Sequence, residues 1–259
     1  MNVQEKEIKL SAGQQRLLKL LFKFRFMSTQ LLADVIGIGR RSVYEAVEVL
    51  VAKGLVDKVY DSDFRYAKKP AYYYLNKQGV TTVRRLLDVK ESVVHALYKN
   101  AEASPEFIDH CLTTARCYGA IKRGSPDDTE IFTKAEINRF RQFPKNRPYL
   151  YIRTPGNKDA IVVIIDDKPL YIVRKRLEEI IQHMEDEGWD GDYPTICFIL
   201  KNPNDLHSFL YTTNKKLEAM GMDENEVTIL ATHLEALRKG NDHCWSNPFH
   251  PKSFVRMFE

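Results

Sequence analysis

An α+β N-terminal domain followed by an α/β C-terminal domain is the architecture this 259-residue sequence predicts. Three observations carry it. Between Leu17 and Leu87, three short helical periodicities run into a Lys-Gly-Leu-Val step and then a basic, tyrosine-rich hairpin, the order of a winged helix-turn-helix. Beyond Pro105, strand-length apolar runs alternate with helical stretches, as in an α/β fold. Charge divides in the same way. Residues 1–90 hold 17 Lys and Arg against 9 Asp and Glu, a net of +8, whereas the remaining 169 residues hold 22 against 26, a net of −4. The whole-chain charge of +4 therefore conceals one cationic module, the electrostatic footprint expected of a nucleic-acid binder.

In the N-terminal domain, Leu17, Leu20, Leu21 and Phe24 stand at i, i+3, i+4 and i+7 and predict a helix with one apolar stripe; Arg16, Lys19 and Lys23 occupy its polar face. Ser28 or Thr29 can cap a second helix built on Leu31, Leu32 and Val35, and Gly37-Ile38-Gly39 forces a turn. A third helix from Arg40 buries Val43, Ala46, Val47, Leu50 and Val51. It leaves Arg40, Arg41, Ser42, Tyr44 and Glu45 near its exposed N-terminal end. Arg40, Arg41, Ser42 and Tyr44 are the candidate DNA-contacting residues, because paired guanidinium groups at the start of a recognition helix can grip phosphates or read guanine. Tyr44 has two readings, a contact to sugar or base edge and packing on the first helix.

Lys53-Gly54 supplies a C-cap, Leu55 to Tyr60 alternates as a strand, and Ala71 to Leu75 returns as the second arm of a hairpin. Between them, Arg65, Lys68 and Lys69 form a basic wing able to reach a phosphate backbone or minor groove. Tyr72, Tyr73 and Tyr74 alternate in direction, so at least one packs inward. Asn76 to Leu87 predicts a closing helix with Val80, Val83 and Leu87 inward and Arg84 and Arg85 outward. A helical trio with a hairpin can also dock proteins, its basic residues then being a solvated face; the charge asymmetry favours duplex DNA.

The predicted organisation is a winged-helix domain over 1–90, a helical linker over 91–104 around Val93, Val94, Leu97 and Tyr98, and an α/β domain over 105–259. In the last, helices are expected at Phe107 to Ile121, Leu170 to Glu187 and Asp205 to Ala219. Strands are expected at Glu130 to Thr133, Tyr149 to Arg153, Ala160 to Ile165, Thr195 to Leu200 and Val227 to Ala231. A hairpin through Thr154-Pro155-Gly156-Asn157 precedes a strand-helix-strand crossover.

That order is also the core order of restriction-endonuclease-like nucleases, which bind Mg²⁺ with strand carboxylates and use an acidic-x-Lys pair. Asp166-Asp167-Lys168 has the spacing, but it falls at a strand end beside Pro169. The upstream carboxylates Asp127, Glu136 and Asp159 are poorly placed to join it. The expectation is a non-enzymatic protein with no cofactor or metal. His243, Cys244 and His250 lack a fourth partner at a recognised zinc spacing and predict a packed C-terminal tail. His110 beside Cys111 cannot share a helix face with it, and no GxxxxGK[ST] or GxGxxG loop cradles a phosphate. Arg174-Lys175-Arg176 followed by Glu178-Glu179 reads as a solvated helix face. Cys111, Cys117, Cys197 and Cys244 form no CxxC pair and are expected to be reduced. No apolar run approaches a membrane span and the start is polar, so the expectation is a cytoplasmic protein.

The run from Ser11 to Leu87 resembles the replication-relaxation family of plasmid and conjugative-element proteins. The resemblance is carried by Phe24-Arg25-Phe26-Met27-Ser28-Thr29-Gln30-Leu31, Arg40-Arg41-Ser42-Val43, Lys53-Gly54-Leu55-Val56, Pro70-Ala71-Tyr72-Tyr73-Tyr74-Leu75 and Gln78-Gly79. Members continue into an α/β region that looks like a degenerate nuclease fold. Asp109-His110-Cys111-Leu112 and the strand ending at Asp166-Asp167 are similar to it in placement, although the acidic strand motif departs from the pattern. The resemblance implies a sequence-specific double-stranded-DNA binder of a mobile element, acting in plasmid replication, relaxosome assembly at a transfer origin or transcription control. It further implies a second domain that supplies homodimer contacts or recruits a replication or DNA-transfer protein.

Overall fold

The computed structural model describes residues 9–60, 70–89, 91–137, 140–156, 158–166, 170–186, 189, 192–240 and 243–258. The chain divides into two compact units, Met1–Ala115 and Arg116–Glu259.

The first unit opens with α1 (Ala12–Phe24), started by a capping box in which Ser11 and Gln14 bond each other's backbone N–H. Its core face is Leu17, Leu18, Leu21, Phe22 and Phe24. Leu20, expected in the stripe, is only half-buried. The buried face is wider than a single stripe because α1 packs against α3 (Arg40–Ala52), β3 (Tyr72–Leu75) and α4 (Lys77–Leu87) together.

Between α1 and α3 lie β1 (Met27–Ser28) and α2 (Thr29–Ile36). Ser28 Oγ accepts from Leu31 N at 3.2 Å, and Gly37 ends α2 at φ +80°. Strand β1, two residues long, carries no periodicity by which the sequence could announce it. With β3 and β2 (Val56–Val59) it makes a three-stranded antiparallel sheet in the order β1-β3-β2. The register pairs Val56 with Leu75 and Val59 with Tyr72. Of the three tyrosines, Tyr73 is buried and Tyr72 and Tyr74 are half-buried. Asn76 caps α4 by accepting from Gly79 N at 3.0 Å.

The segment expected as a linker packs inside this first unit. It forms α5 (Glu91–Val94) and a 3-10 helix (His95–Glu102) that buries Leu97 and Asn100. Arg25 holds it: Nε donates to Asn100 Oδ1 and Nη2 to the Ala96 carbonyl, both at 2.8 Å, while the guanidinium lies 4.4 Å from the centroid of the Phe107 ring. Phe107 belongs to α6 (Pro105–Gly124), and the unit runs to Ala115, beyond the expected end at residue 90.

In the second unit, β4 (Glu130–Thr133), the one-turn α7 (Lys134–Ile137), β5 (Leu150–Arg153), β6 (Ala160–Ile165) and α8 (Leu170–Glu185) come first. There follow β7 (Thr195–Leu200), α9 (Asp205–Ala219), β8 (Ile229–His233), α10 (Leu234–Arg238), β9 (Trp245–Ser246) and β10 (Phe254–Val255). The sheet order is β10-β9-β8-β7-β6-β5-β4. Strands β6, β7 and β8 are mutually parallel, and the remaining pairs are antiparallel. Every residue of β6 is buried, as a central parallel strand requires. The main core joins Ile161, Val163, Phe198 and Ile229 of the sheet to Leu177 and Ile181 of α8 and Phe209 and Leu217 of α9.

Two sequence expectations change here. The last long strand lies two residues later than expected, and Val227 is buried just ahead of it. Arg176 is not part of a solvated face: Nη2 donates to the Arg147 carbonyl at 2.7 Å and the guanidinium stacks 4.9 Å from the Tyr149 ring centroid. The four cysteines are free and buried. No helix among the described residues is long and apolar enough to cross a membrane.

Candidate nucleic-acid interface

Helix α3 brings Arg40, Arg41, Ser42 and Tyr44 together on one exposed N-terminal surface, because Val43, Val47 and Leu50 anchor the opposite face in the core. Tyr44 is 50% exposed and so stands on the surface, open to a sugar or base edge. Gly39 occupies the N-cap position with no side-chain hydrogen bond, and the first turn carries no acidic residue. Arg40 and Arg41 thus sit where the helix dipole is positive and the leading N–H groups lack a side-chain acceptor. Cations at that end oppose helix stability. The same arrangement suits an anion, which would meet backbone N–H groups and two guanidinium groups at once.

The helix is tied to the hairpin from its other flank. Glu48 accepts from Lys58 Nζ, at 3.3 Å on Oε1 and 3.2 Å on Oε2, and its Oε1 also accepts from the Tyr73 hydroxyl at 3.1 Å. Burial first, and then the bond to Glu48, push the Tyr73 phenol well above its ordinary range, with Tyr44 and Tyr60 close enough to contribute. The Lys58 ammonium is raised chiefly by its hydrogen bond to Glu48. Arg16, expected only on a polar face, donates to the Ile36 carbonyl at 3.4 Å and so closes the C-terminal end of α2.

Arg65, Lys68 and Lys69, the expected wing contacts, lie outside the described residues. Sequence reasoning passed over four exposed apolar side chains of this unit: Ile38 in the turn before α3, Val49 on α3, Tyr60 at the root of the hairpin and Leu86 on α4, exposed by 48%, 42%, 47% and 38%. Val49 was recoverable, since it falls off the Val43, Val47, Leu50 stripe, as were Tyr60, at the end of the alternating run from Leu55, and Leu86, beside the outward Arg84 and Arg85; Ile38 stands outside any periodic element.

In the second unit, two of the carboxylates weighed for metal chemistry have structural partners. Glu136 Oε2 accepts from Thr133 N at 2.8 Å and Thr133 Oγ1 at 2.9 Å, and Asp159 accepts from the Tyr151 hydroxyl. Asp166 is half-buried just after β6, while Asp167 and Lys168 lie outside the described residues. His243 accepts from Arg256 Nε at 2.9 Å, His250 pairs with Glu224 at 2.8 Å, and Cys244 is buried beside Trp245. Among the described residues, no group of three or more His, Cys, Asp or Glu is arranged to hold a metal ion.

The replication-relaxation family model matches residues 18–143, so the resemblance read from Ser11 to Leu87 holds and continues through α6 and β4 to Phe143. No curated protein matches the chain. Among solved structures, the adhesin competence repressor AdcR from Streptococcus pyogenes is 16% identical over 39% of this chain and 74% of its own, with a TM-score of 0.28. A ZitR double mutant from Lactococcus lactis is 15% identical over 46% and 77%, with a TM-score of 0.29. The archaeal chromatin protein TrmBL2, described as showing a novel mode of DNA binding, is 14% identical over 87% and 77%, with a TM-score of 0.25.

Proposed function

We propose that this chain is a sequence-specific double-stranded-DNA-binding accessory or regulatory protein of a mobile element, serving plasmid replication, conjugative relaxosome assembly or transcription control. The observation that carries the reading is the N-terminal surface of α3. Arg40 and Arg41 stand there against the helix dipole, beside exposed Ser42 and Tyr44, on a helix that Glu48 fastens to the hairpin. Folding gains nothing from two arginines at that position, whereas a phosphate backbone does. The net charge of +8 over residues 1–90 and the replication-relaxation match over 18–143 support the same reading.

In this scheme α3 enters the major groove and the wing, through Arg65, Lys68 and Lys69, fastens the adjacent backbone. The second unit supplies homodimer contacts or recruits a replication or DNA-transfer protein, and the protein acts in the cytoplasm without catalysis. The order α6, β4, β5, β6, α8, β7, interrupted by the one-turn α7, is compatible with a restriction-endonuclease-like core and supports one other reading, a metal-dependent nuclease targeted by the winged helix.

One experiment addresses both. Fragmented DNA from the gene's own neighbourhood is bound by the purified chain at about 150 mM salt, which suppresses merely electrostatic retention, with Mg²⁺ present, and the retained fragments are sequenced. A discrete intact site that is lost in Arg40→Ala and Arg41→Ala supports the proposal. Cut ends that vanish in Asp166→Ala and Lys168→Ala would instead establish the nuclease. No enrichment above background would overturn both in favour of protein docking.

A further inference from the structure

The surface of α3 that would face DNA carries one carboxylate that folding does not explain. Glu45 accepts from Arg41 Nε at 3.0 Å, with the two side chains 63% and 93% exposed. A pair this exposed adds little stability, and the basic residue lies N-terminal to the acidic one, the less favourable order on a helix. Facing a polyanion, a carboxylate is repelled, so neither folding nor attraction to phosphate accounts for Glu45 on that surface. Its geometry suggests a task. A carboxylate on Nε leaves both terminal amino groups available as a fork, the arrangement that matches O6 and N7 of guanine. Arg40, the other arginine of the first turn, has no such partner carboxylate four residues on, since position 44 is Tyr44.

We infer that Arg41 reads a guanine in the major groove and that Glu45 is its positioning residue, while Arg40 contacts phosphate. This rests on the DNA-binding reading above and makes it more specific: the cognate site contains a G·C pair fixed by the Arg41–Glu45 unit. Glu45 also disfavours bases whose edges would need Arg41 to swing away, since its charge would then face phosphate uncompensated.

The test is selection from a randomised duplex library by the full chain at about 150 mM salt, with enriched sequences compared between wild type, Arg40→Ala, Arg41→Ala, Glu45→Ala and Glu45→Gln. Wild type is expected to enrich a motif with an invariant guanine. Arg41→Ala should lower the preference for that guanine by at least about fivefold, the low end of what a bidentate contact discriminates. Glu45→Ala should relax the same position and no other, and should bind unselected duplex more tightly. Glu45→Gln, which keeps an acceptor, should retain part of the preference. Placing 7-deazaguanine at that position should cost wild type, and not Arg41→Ala, its advantage. If wild type enriches a motif that Arg41→Ala and Glu45→Ala leave unchanged, this inference is wrong and the DNA-binding reading stands; if wild type enriches nothing, the reading itself fails and takes the inference with it.

Discussion

Replacing Glu48 by alanine tests whether α3 is held against the hairpin by a carboxylate or merely by apolar packing. Tyr73 is 3% exposed, so losing Glu48 strands a buried hydroxyl, at a cost of about 1–3 kcal/mol. The Lys58 pair, with side chains 32% and 31% exposed, adds at most about 1 kcal/mol. Alanine's better helix propensity returns a few tenths of a kcal/mol. The net loss should be about 2 kcal/mol, or roughly 30-fold faster hydrogen exchange for amides of α3 and β3 that exchange only when this unit opens. Tyr73→Phe alone removes the donor and leaves Glu48 with Lys58, costing about 1 kcal/mol. Because the stranded hydroxyl is the larger part of the Glu48→Ala penalty, the double variant should be no less stable than Glu48→Ala by itself. Exchange mass spectrometry on the full chain reads α3 and the hairpin separately from the second unit, where both tryptophans, Trp189 and Trp245, reside. Strictly additive losses in the double variant would refute the coupling, and unchanged exchange in Glu48→Ala would refute the tether.

Gly79→Ala should destabilise the first unit by several kcal/mol, seen as loss of helicity and protease resistance, because an added Cβ would meet the Leu55 carbonyl oxygen at 1.9 Å and that atom is backbone. Wild-type thermal stability in this variant would disprove the close approach. Tyr73, Tyr74, Tyr151 and Tyr193 have folded-state ionisations raised above the ordinary value, each chiefly by burial, Tyr151 to about 12. The neutral phenols therefore contribute stability that is whole below pH about 10 and is lost as pH climbs through the raised values. Tyrosinate absorbance should show a late-titrating class that is released together with far-ultraviolet ellipticity; a single titration near the ordinary value in an intact fold would contradict it. Arg40→Ala, removing one phosphate contact, should flatten the log–log salt dependence of binding by about 0.9 and weaken all duplexes alike, as measured by fluorescence anisotropy at several salt concentrations. An unchanged slope with altered base preference would reverse the roles given to Arg40 and Arg41.

What was legible in the sequence follows from which residues had to satisfy a repeat. Val43, Val47 and Leu50 announce α3 because a helix with one buried face repeats every three to four residues, and the continuous run Ala160 to Ile165 announces itself by being apolar throughout. Strands β1, β9 and β10 are two residues each, shorter than any period, and exist because a neighbouring strand had an unpaired edge. The residues 91–104 read as a linker since their composition is mixed. Arg25, 71 and 75 residues away from its acceptors in sequence, supplies the polar contacts that draw them into the first unit, and no local pattern encodes so distant a partner. Arg176 was misread for a related reason: a charged residue in a charged run looks solvated until the Tyr149 ring and the Arg147 carbonyl arrive beside it.

The candidate interface inverts that logic. Its residues announce themselves as paired guanidinium groups at the start of a recognition helix, and the structure adds that they disobey the rules that build helices. A first turn without an acid, an N-cap without a side-chain oxygen and two adjacent arginines at the positive end of a dipole each lower the stability of α3, and nothing within the first turn offsets them. Compensation comes from outside the turn, from the buried stripe and from Glu48, so the N-terminal end is a rigid platform whose own chemistry is left unsatisfied by the fold. A surface that is stable only because the rest of its element is over-anchored, and whose unmet demand is for negative charge, is one whose sequence is held by a ligand and not by folding. Restoring the helix rules at that site, with Gly39→Ser and Arg40→Glu, should therefore stabilise the first unit while abolishing duplex binding; a variant that becomes more stable and still binds would show that the platform serves some other partner.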